Sequence, residues 1–429
     1  MKPTQFLRIL AVCAMLAASM LVMASYATPQ TETVIRSFEN GATGLDPNSG
    51  LVADSSGSLY GVTSTGGISC SENRVGCGVA YKLSPTSSGS GSWRQAVLYS
   101  FTGGNDGGAP AGNLSIDPKT HKVYGTAPLG GANGQGVVFE LTPGSPWTEN
   151  IVYDFKGRDG SAPISGALFD KGTLFVATAN GGSSHGGTVV ALRPPSVPGA
   201  EWNRQVLHQF AFDVNGFSPS APLIADSAGA LYGTTVNGSP NSGTIFKLVP
   251  PSDGIGAWSF SVLYTFTNGP DGGSPRGSLL FDSEGRLYGT TNSGGDSKCE
   301  CGTVFQLTPP AGGTGSWSIS TLHTFVGGTD GSGPQGGVIF DETGTLYGST
   351  LGGGDPSCTE GFGSGCGTIF KLVPNGDGSW AESVLYAFQG GNDGIWPASS
   401  LLFLNDNFYG TTLYGGGKAD GGTAFQFAP

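Results

Sequence analysis

Five aspartates stand at matching places along the chain: Asp106, Asp159, Asp271, Asp330 and Asp393. Each is followed by glycine and lies four residues before a proline. Thr43 and Asn215 fill the same place in two further copies of the pattern. Carboxylates are hard oxygen ligands, and several of them around one channel mouth would suit calcium. The structural alternative is turn chemistry, because Asp-Gly and Asn-Gly both tolerate positive φ. Calcium is the one cofactor these residues raise, and nothing else in the sequence requires a cofactor.

Cysteine is the second source of chemistry. Cys13 lies in an apolar leader, and the other six fall in three close pairs: Cys70 with Cys77, Cys299 with Cys301, and Cys358 with Cys366. The second member of every pair lies directly before a glycine. Six cysteines allow 15 pairings, and the shared placement favours three local disulfides. Zinc is the rival reading, but no close four-ligand cluster and no supporting histidine is evident in the sequence. There are only four histidines, and no G-x-S-x-G, H-E-x-x-H or phosphate-loop motif is present. His208 and His323 fill a place that tyrosine holds in other copies, which gives them a structural reading.

The third group is aromatic and acidic. Trp396, Phe217, Phe362 and Tyr414 lie outside the recurring aromatic pattern, and Glu72, Glu300 and Glu360 sit within the cysteine-bearing segments. Flat aromatic side chains with carboxylates nearby suit sugar rings, through stacking and hydrogen bonds.

These residues are positioned by a repeat. The block Leu287-Tyr288-Gly289-Thr290-Thr291, followed by Gly302-Thr303-Val304-Phe305-Gln306-Leu307, has close copies throughout the chain. The tyrosine place is filled by Tyr60, Tyr124, Phe175, Tyr232, Tyr288, Tyr347 and Tyr409. Each unit holds a glycine-rich loop ending in proline, a short apolar strand, a tight turn (D-x-x-G in units one, four, five and six), the strand of the tyrosine place, a second glycine-rich loop, a third strand and a fourth strand, which carries tryptophan in six units. The tryptophans lie six residues before Tyr99, Tyr153, His208, Tyr264, His323 and Tyr386, an even spacing that places both side chains on one face of a regular strand.

Four strands per unit, joined by short connections, predict an antiparallel sheet that buries both faces only against its neighbours. The predicted fold class is therefore all-β, a seven-bladed β-propeller of four-stranded antiparallel blades. The chain closes with a third strand, Gly422 to Phe427, and residues Thr33 to Phe38 read as a fourth strand without its first three. The N-terminal strand should complete the last blade and remove the open edge.

The block G-x-L-Y-G-T-T-x-x-G-G, then G-T-x-F-x-L, resembles the GloVer-type tandem repeat of choice-of-anchor bacterial exported proteins. Gly285 to Leu307 and Gly344 to Leu372 show it best, and the resemblance runs from about Thr33 to Pro429. Units one and three depart from it at Gly78-Val79-Ala80-Tyr81 and Leu174-Phe175-Val176-Ala177-Thr178. The resemblance implies export and repetition. It brings no established activity or catalytic residues, and the C-terminal sorting signal that it implies is not visible.

Residues 1–27 read as a secretory signal peptide, with Lys2 and Arg8, an apolar run from Ile9 to Met23, and small residues up to Ala27. Residues 28–429 read as one propeller domain. The expected location is exported, periplasmic or extracellular, with no membrane span after cleavage. A net charge of −12 without basic runs argues against nucleic acid as a partner. A cell-surface or extracellular polysaccharide is the expected partner, and the protein is expected to be a monomer.

The innermost strands of such a ring, such as Leu279-Leu280-Phe281 and Leu401-Leu402-Phe403, carry no charge. The sequence therefore favours a non-catalytic binding or surface-interaction module. The alternative is a calcium-dependent propeller hydrolase or lactonase that draws every ligand from loops. The separation between the strand-two and strand-three aromatic places is 21, 15, 15, 14, 17, 23 and 16 residues in units one to seven, so length variation gathers in one set of loops. Loops of this kind carry function.

Overall fold

The computed structural model describes residues 31–39, 41–70, 76–86, 92–197, 199–238, 242–252, 256–359 and 365–429. The leader, and with it the expected signal peptide, lies outside the described residues. Seven four-stranded antiparallel sheets account for the strands. Blade 2 is representative, with strands Ala111–Ile116, Val123–Ala127, Val137–Thr142 and Thr148–Asp154 in consecutive order. Blade 7 takes three strands from the C-terminal end, Leu402–Leu404, Asn407–Thr412 and Thr423–Ala428, and its outer strand is Thr31–Ser37. The expected closure is present: Val34 pairs with Phe425, and the Phe38 amide donates to the Gly422 carbonyl at 2.9 Å.

Local chemistry explains why each unit folds alike. In the D-x-x-G-x-L-Y turn, Asp54 accepts hydrogen bonds from the Ser56 and Ser58 amides and from the Tyr60 hydroxyl at 2.9 Å. Asp226, Asp282 and Asp341 hold Tyr232, Tyr288 and Tyr347 in the same way. Burial alone would raise the Asp54 carboxyl, but hydrogen bonds from Ser56, Tyr60 and Ser58 hold it well below the usual carboxylate range. Paired threonines tie strand two to strand three, with Thr291 and Thr303 hydroxyls 2.9 Å apart and both side chains buried.

The core lies in the seams between blades. The phenylalanine that ends the outer strand packs on the strand-three aromatic of the next blade, as Phe101 does on Phe139 at 5.0 Å between ring centres, except that Phe155 meets blade 3, where Val190 holds that place. Each tryptophan packs on the strand-two aromatic of the preceding blade, as Trp202 does on Tyr124 at 6.2 Å. The proline of each opening loop rests on the glycine before strand three of the preceding blade. Gly302 has φ +90°, and a Cβ there would meet Pro334 at 2.9 Å.

Two sequence expectations are corrected. Every outer strand carries a β-bulge: Tyr153 faces Val138, Ile151 faces Phe139, and Val152 is left between them. One extra residue reverses the alternation of faces. Trp147 therefore packs toward blade 1, beside Tyr60, and Tyr153 packs toward blade 3, under Arg204. The two do not share a face. Second, the glycine after the strand-two tyrosine makes room for the aromatic directly across in its own sheet, not for the next blade. Gly125 pairs with Phe139, and a Cβ on Gly125 would lie 2.4 Å from the Phe139 ring. In blade 3, Val176 holds the glycine place and Val190 the phenylalanine place.

Candidate functional site on the loop face

The loops that open the blades and the loops between strands two and three lie together. In every blade the two are joined by an antiparallel bridge, from Leu45 with Thr65 in blade 1 to Ile395 with Tyr414 in blade 7. This face carries the length variation seen in the sequence.

The recurring aspartates belong to this face but do not ring its axis. Each turns its carboxylate back onto its own loop and outer strand. Asp106 accepts from the Tyr99 hydroxyl at 3.0 Å and the Thr102 amide at 2.8 Å. Asp271 and Asp393 accept from Tyr264 and Tyr386 at 2.9 and 2.8 Å, and Asp159 accepts from Tyr153 and the Lys156 amide. Asp330 pairs with the His323 Nε2 at 3.1 Å. None of the five lines the axial cavity. A short side chain with amides one turn away bonds within its own loop.

The seams beside these aspartates vary from blade to blade. The residue two places after each tryptophan faces the Tyr–Asp pair of the preceding blade. Arg204 there lies 3.6 Å from Asp159, and Phe260 stacks on His208 at 3.7 Å where Asn215 replaces aspartate. Glu149 and Glu382 bring a second carboxyl instead, and Glu32 does so beside Asp393. Burial, and then the charge of Asp393, pushes Glu32 up to about 8; burial and Asp106 push Glu149 up to about 7. His323, Asp330 and Glu382 place one ligand atom each within 4.8 Å of one another, the set among the described residues with metal-ligand chemistry. Its His–Asp members already bond to each other.

The three cysteine pairs are disulfides, Cys70–Cys77, Cys299–Cys301 and Cys358–Cys366. They sit on this face, and the Cys77 and Cys301 sulfurs lie against Gly103 and Gly327 of the following loop. Of the acidic and aromatic candidates, Glu72, Glu360 and Phe362 lie outside the described residues. Glu300 is exposed in the blade 5 loop. Phe217 packs on Phe212 in blade 4, with ring centres 4.7 Å apart. Neither adjoins blade 7.

Trp396 and Tyr414 are brought together. Their ring centres are 5.3 Å apart with planes at 70°, and Tyr414 is 37% exposed. Ile395, Asp420 and Gly417 complete a pocket of about 440 Å³ around them. The Asp420 carboxylate accepts from the Gly415 amide at 2.6 Å, which fixes it beside the rings. Trp396 has φ +63°. The same place is filled in the other blades by Asp46, Ala109, Ala162, Ser218, Ser274 and Gly333, small or short polar residues that also have positive φ. A bulky side chain in the left-handed region is a costly choice. The Tyr414 place is Thr65, Leu129, Asn180, Asn237, Ser293 or Gly352 elsewhere. Blade 7 alone puts aromatic rings at both.

A second concavity lies on the axis, and sequence reasoning did not find it. Its volume is about 690 Å³, and all seven blades line it. The residue after each invariant proline contributes: Asn48, Ala111, Ile164, Ser220, Arg276, Gln335 and Ala398. That place is the varied one beside an invariant proline, which was the available signal. Beneath it the inner segments touch backbone to backbone. A Cβ on Gly336 would lie 2.4 Å from the Ser399 carbonyl, and the Ser278 and Ser400 hydroxyls are 3.1 Å apart.

The fold is shared with a solved structure of low identity. A candidate 6-phosphogluconolactonase from Bacteroides uniformis superposes with a TM-score of 0.51 at 14% identity, covering 84% of this chain and 88% of that one. A candidate oxidoreductase (glucose dehydrogenase) from Thermus thermophilus gives 0.42 at 16% identity, covering 75% and 94%. No curated protein matches the chain in sequence. The family model of the Gloeobacter/Verrucomicrobia repeat matches residues 22–200 and 300–429, and with the repeat now visible as blades, the chain belongs to that family.

Proposed function

We propose that this protein is an exported, non-catalytic binding module that holds a polysaccharide on its loop face, with Trp396 and Tyr414 of blade 7 as the sugar platform. The observation that carries this reading is the Trp396 backbone. The protein keeps a tryptophan in a left-handed conformation where its six sister positions are small or short and polar, and it sets a half-exposed tyrosine against it. Strain of this kind points to use of the side chain. Asp420 supplies a fixed carboxylate for sugar hydroxyls. Three disulfides agree with an oxidising, exported location. Binding is favoured over hydrolysis because the axial cavity, as lined by described residues, carries no aspartate, glutamate, histidine or cysteine. The test is retention on immobilised cell-wall polysaccharides. Wild type should bind, and Trp396→Ala and Tyr414→Ala should each weaken binding at least tenfold with an unchanged melting temperature. Wild type that binds no polysaccharide ends the reading; equal binding by both variants places the site elsewhere on the ring.

A further inference from the structure

The axial cup carries a chemistry of its own. The chain has a net charge of −12, yet among the described residues the one charged side chain lining the cup is a cation, Arg276. Arg276 is exposed to the cup and makes no ion pair among the described residues. The Asn113 Oδ1 accepts from the Gly50 amide at 3.1 Å, which leaves the amino group as the donor end of that side chain. Asn48 and Gln335 add amides that serve hydroxyl groups in either sense. The floor is closed where Gly337 donates to the Ser400 hydroxyl at 2.7 Å. A volume of about 690 Å³ falls within the range of small-molecule pockets.

We propose that this cup is a ligand site for a small polyhydroxylated anion, with the oxyanion paired to Arg276 and the hydroxyls met by the amides. Guanidinium pairs with carboxylate and phosphate oxygens through two parallel N–H bonds. A cup without carboxylates does not repel such a ligand at short range. The neutral ring of apolar and small residues around Arg276 leaves its charge unshared, and the ligand enters from the loop face. This site is independent of the Trp396–Tyr414 platform.

Isothermal titration of the full chain with glucuronate, glucose and inorganic phosphate tests it. Glucuronate should bind at least tenfold more tightly than glucose. Arg276→Gln should remove that preference, and Ala398→Glu, which sets a carboxylate in the same cup, should weaken glucuronate at least tenfold with Arg276 intact. Both variants should keep the wild-type melting temperature. Trp396→Ala should leave glucuronate binding unchanged, which separates this site from the polysaccharide platform. Phosphate that binds more tightly than glucuronate, and is lost in Arg276→Gln, keeps the anion site and assigns the oxyanion to phosphorus. Equal binding of glucose and glucuronate, no binding of either anion, or unaltered anion binding by Arg276→Gln overturns the proposal.

Discussion

The glycine after each strand-two tyrosine is set by the size of one residue across the sheet. Phe139 occupies the space that a Cβ on Gly125 would need. Blade 3 solves the same problem with Val176 opposite Val190. Gly125→Val should therefore destabilise the protein by about 1–3 kcal/mol through overpacking. Phe139→Val alone should also destabilise, by leaving a void. The double variant should recover most of the loss, and thermal denaturation of the four proteins measures the coupling. Additive losses would mean that the two sites do not share this space. The acidic seams give a second residue-scale expectation. Glu32 and Glu149, with ordinary values of 4.5, are raised to about 8 and about 7. The folded protein keeps protons that the unfolded chain releases above pH 4.5, so this contribution is full below pH 4.5 and is lost as pH rises to 7 and 8. Asp54 has the opposite sign, since its lowered carboxyl loses stability only below its ordinary 3.8, outside that window. His208, lowered by burial to about 4, opposes this trend up to its ordinary 6.5, so between pH 6.5 and pH 8 the melting temperature should fall, and Glu32→Gln with Glu149→Gln should shrink the fall by about 1–3 °C. Identical pH slopes for the two proteins would remove the explanation.

Single elements were legible where their chemistry is local. The D-x-x-G turn rests on contacts within one unit, with both partners at a fixed spacing, and each cysteine pair lies within one loop. The outer strand was not legible in the same way. Its tryptophan and tyrosine are six residues apart, and only the bulge between Val138 and Phe139 on the partner strand reveals that they point into different seams. A bulge is a property of the pairing, and one extra residue changes no composition or period. The same holds for the aspartate loops. Asp-Gly read as a turn first, with calcium ligation as the alternative, and the bonds from the Tyr99 hydroxyl and the Thr102 amide to Asp106 are those of a turn.

At the scale of the whole molecule, the ring depends on a contact between the two ends of the described chain. The Thr411 hydroxyl donates to the Ser49 carbonyl, 362 residues away, and Pro47 rests against Gly422 as every other loop proline rests on its neighbour. Removing residues 31–38 would leave Thr423–Ala428 as an open edge and expose the site that Phe38, 0% accessible, now fills. We expect that variant to aggregate, as unpaired edges with apolar faces do. Size-exclusion chromatography and thermal melting check this; a monomer with wild-type stability would show that the closure contributes nothing.

The sequence by itself determined the number of blades, the four strands in each, the closing strand, the disulfide partners and the face on which variation gathers. All of these follow from residue type repeated at a near-constant interval, because each blade must bury the same surfaces against the next. The tertiary structure alone decided which singular residues meet. Trp396 and Tyr414 are 18 positions apart and touch because Ile395 bridges to Tyr414. Phe217 and Glu300 share their face and lie in other blades. Arg276, Gln335 and Asn48 are spread over nearly 300 residues and converge only because seven innermost segments share one axis. A repeat specifies its own unit through local contacts, whereas a site built from one residue per unit exists only once the ring is closed.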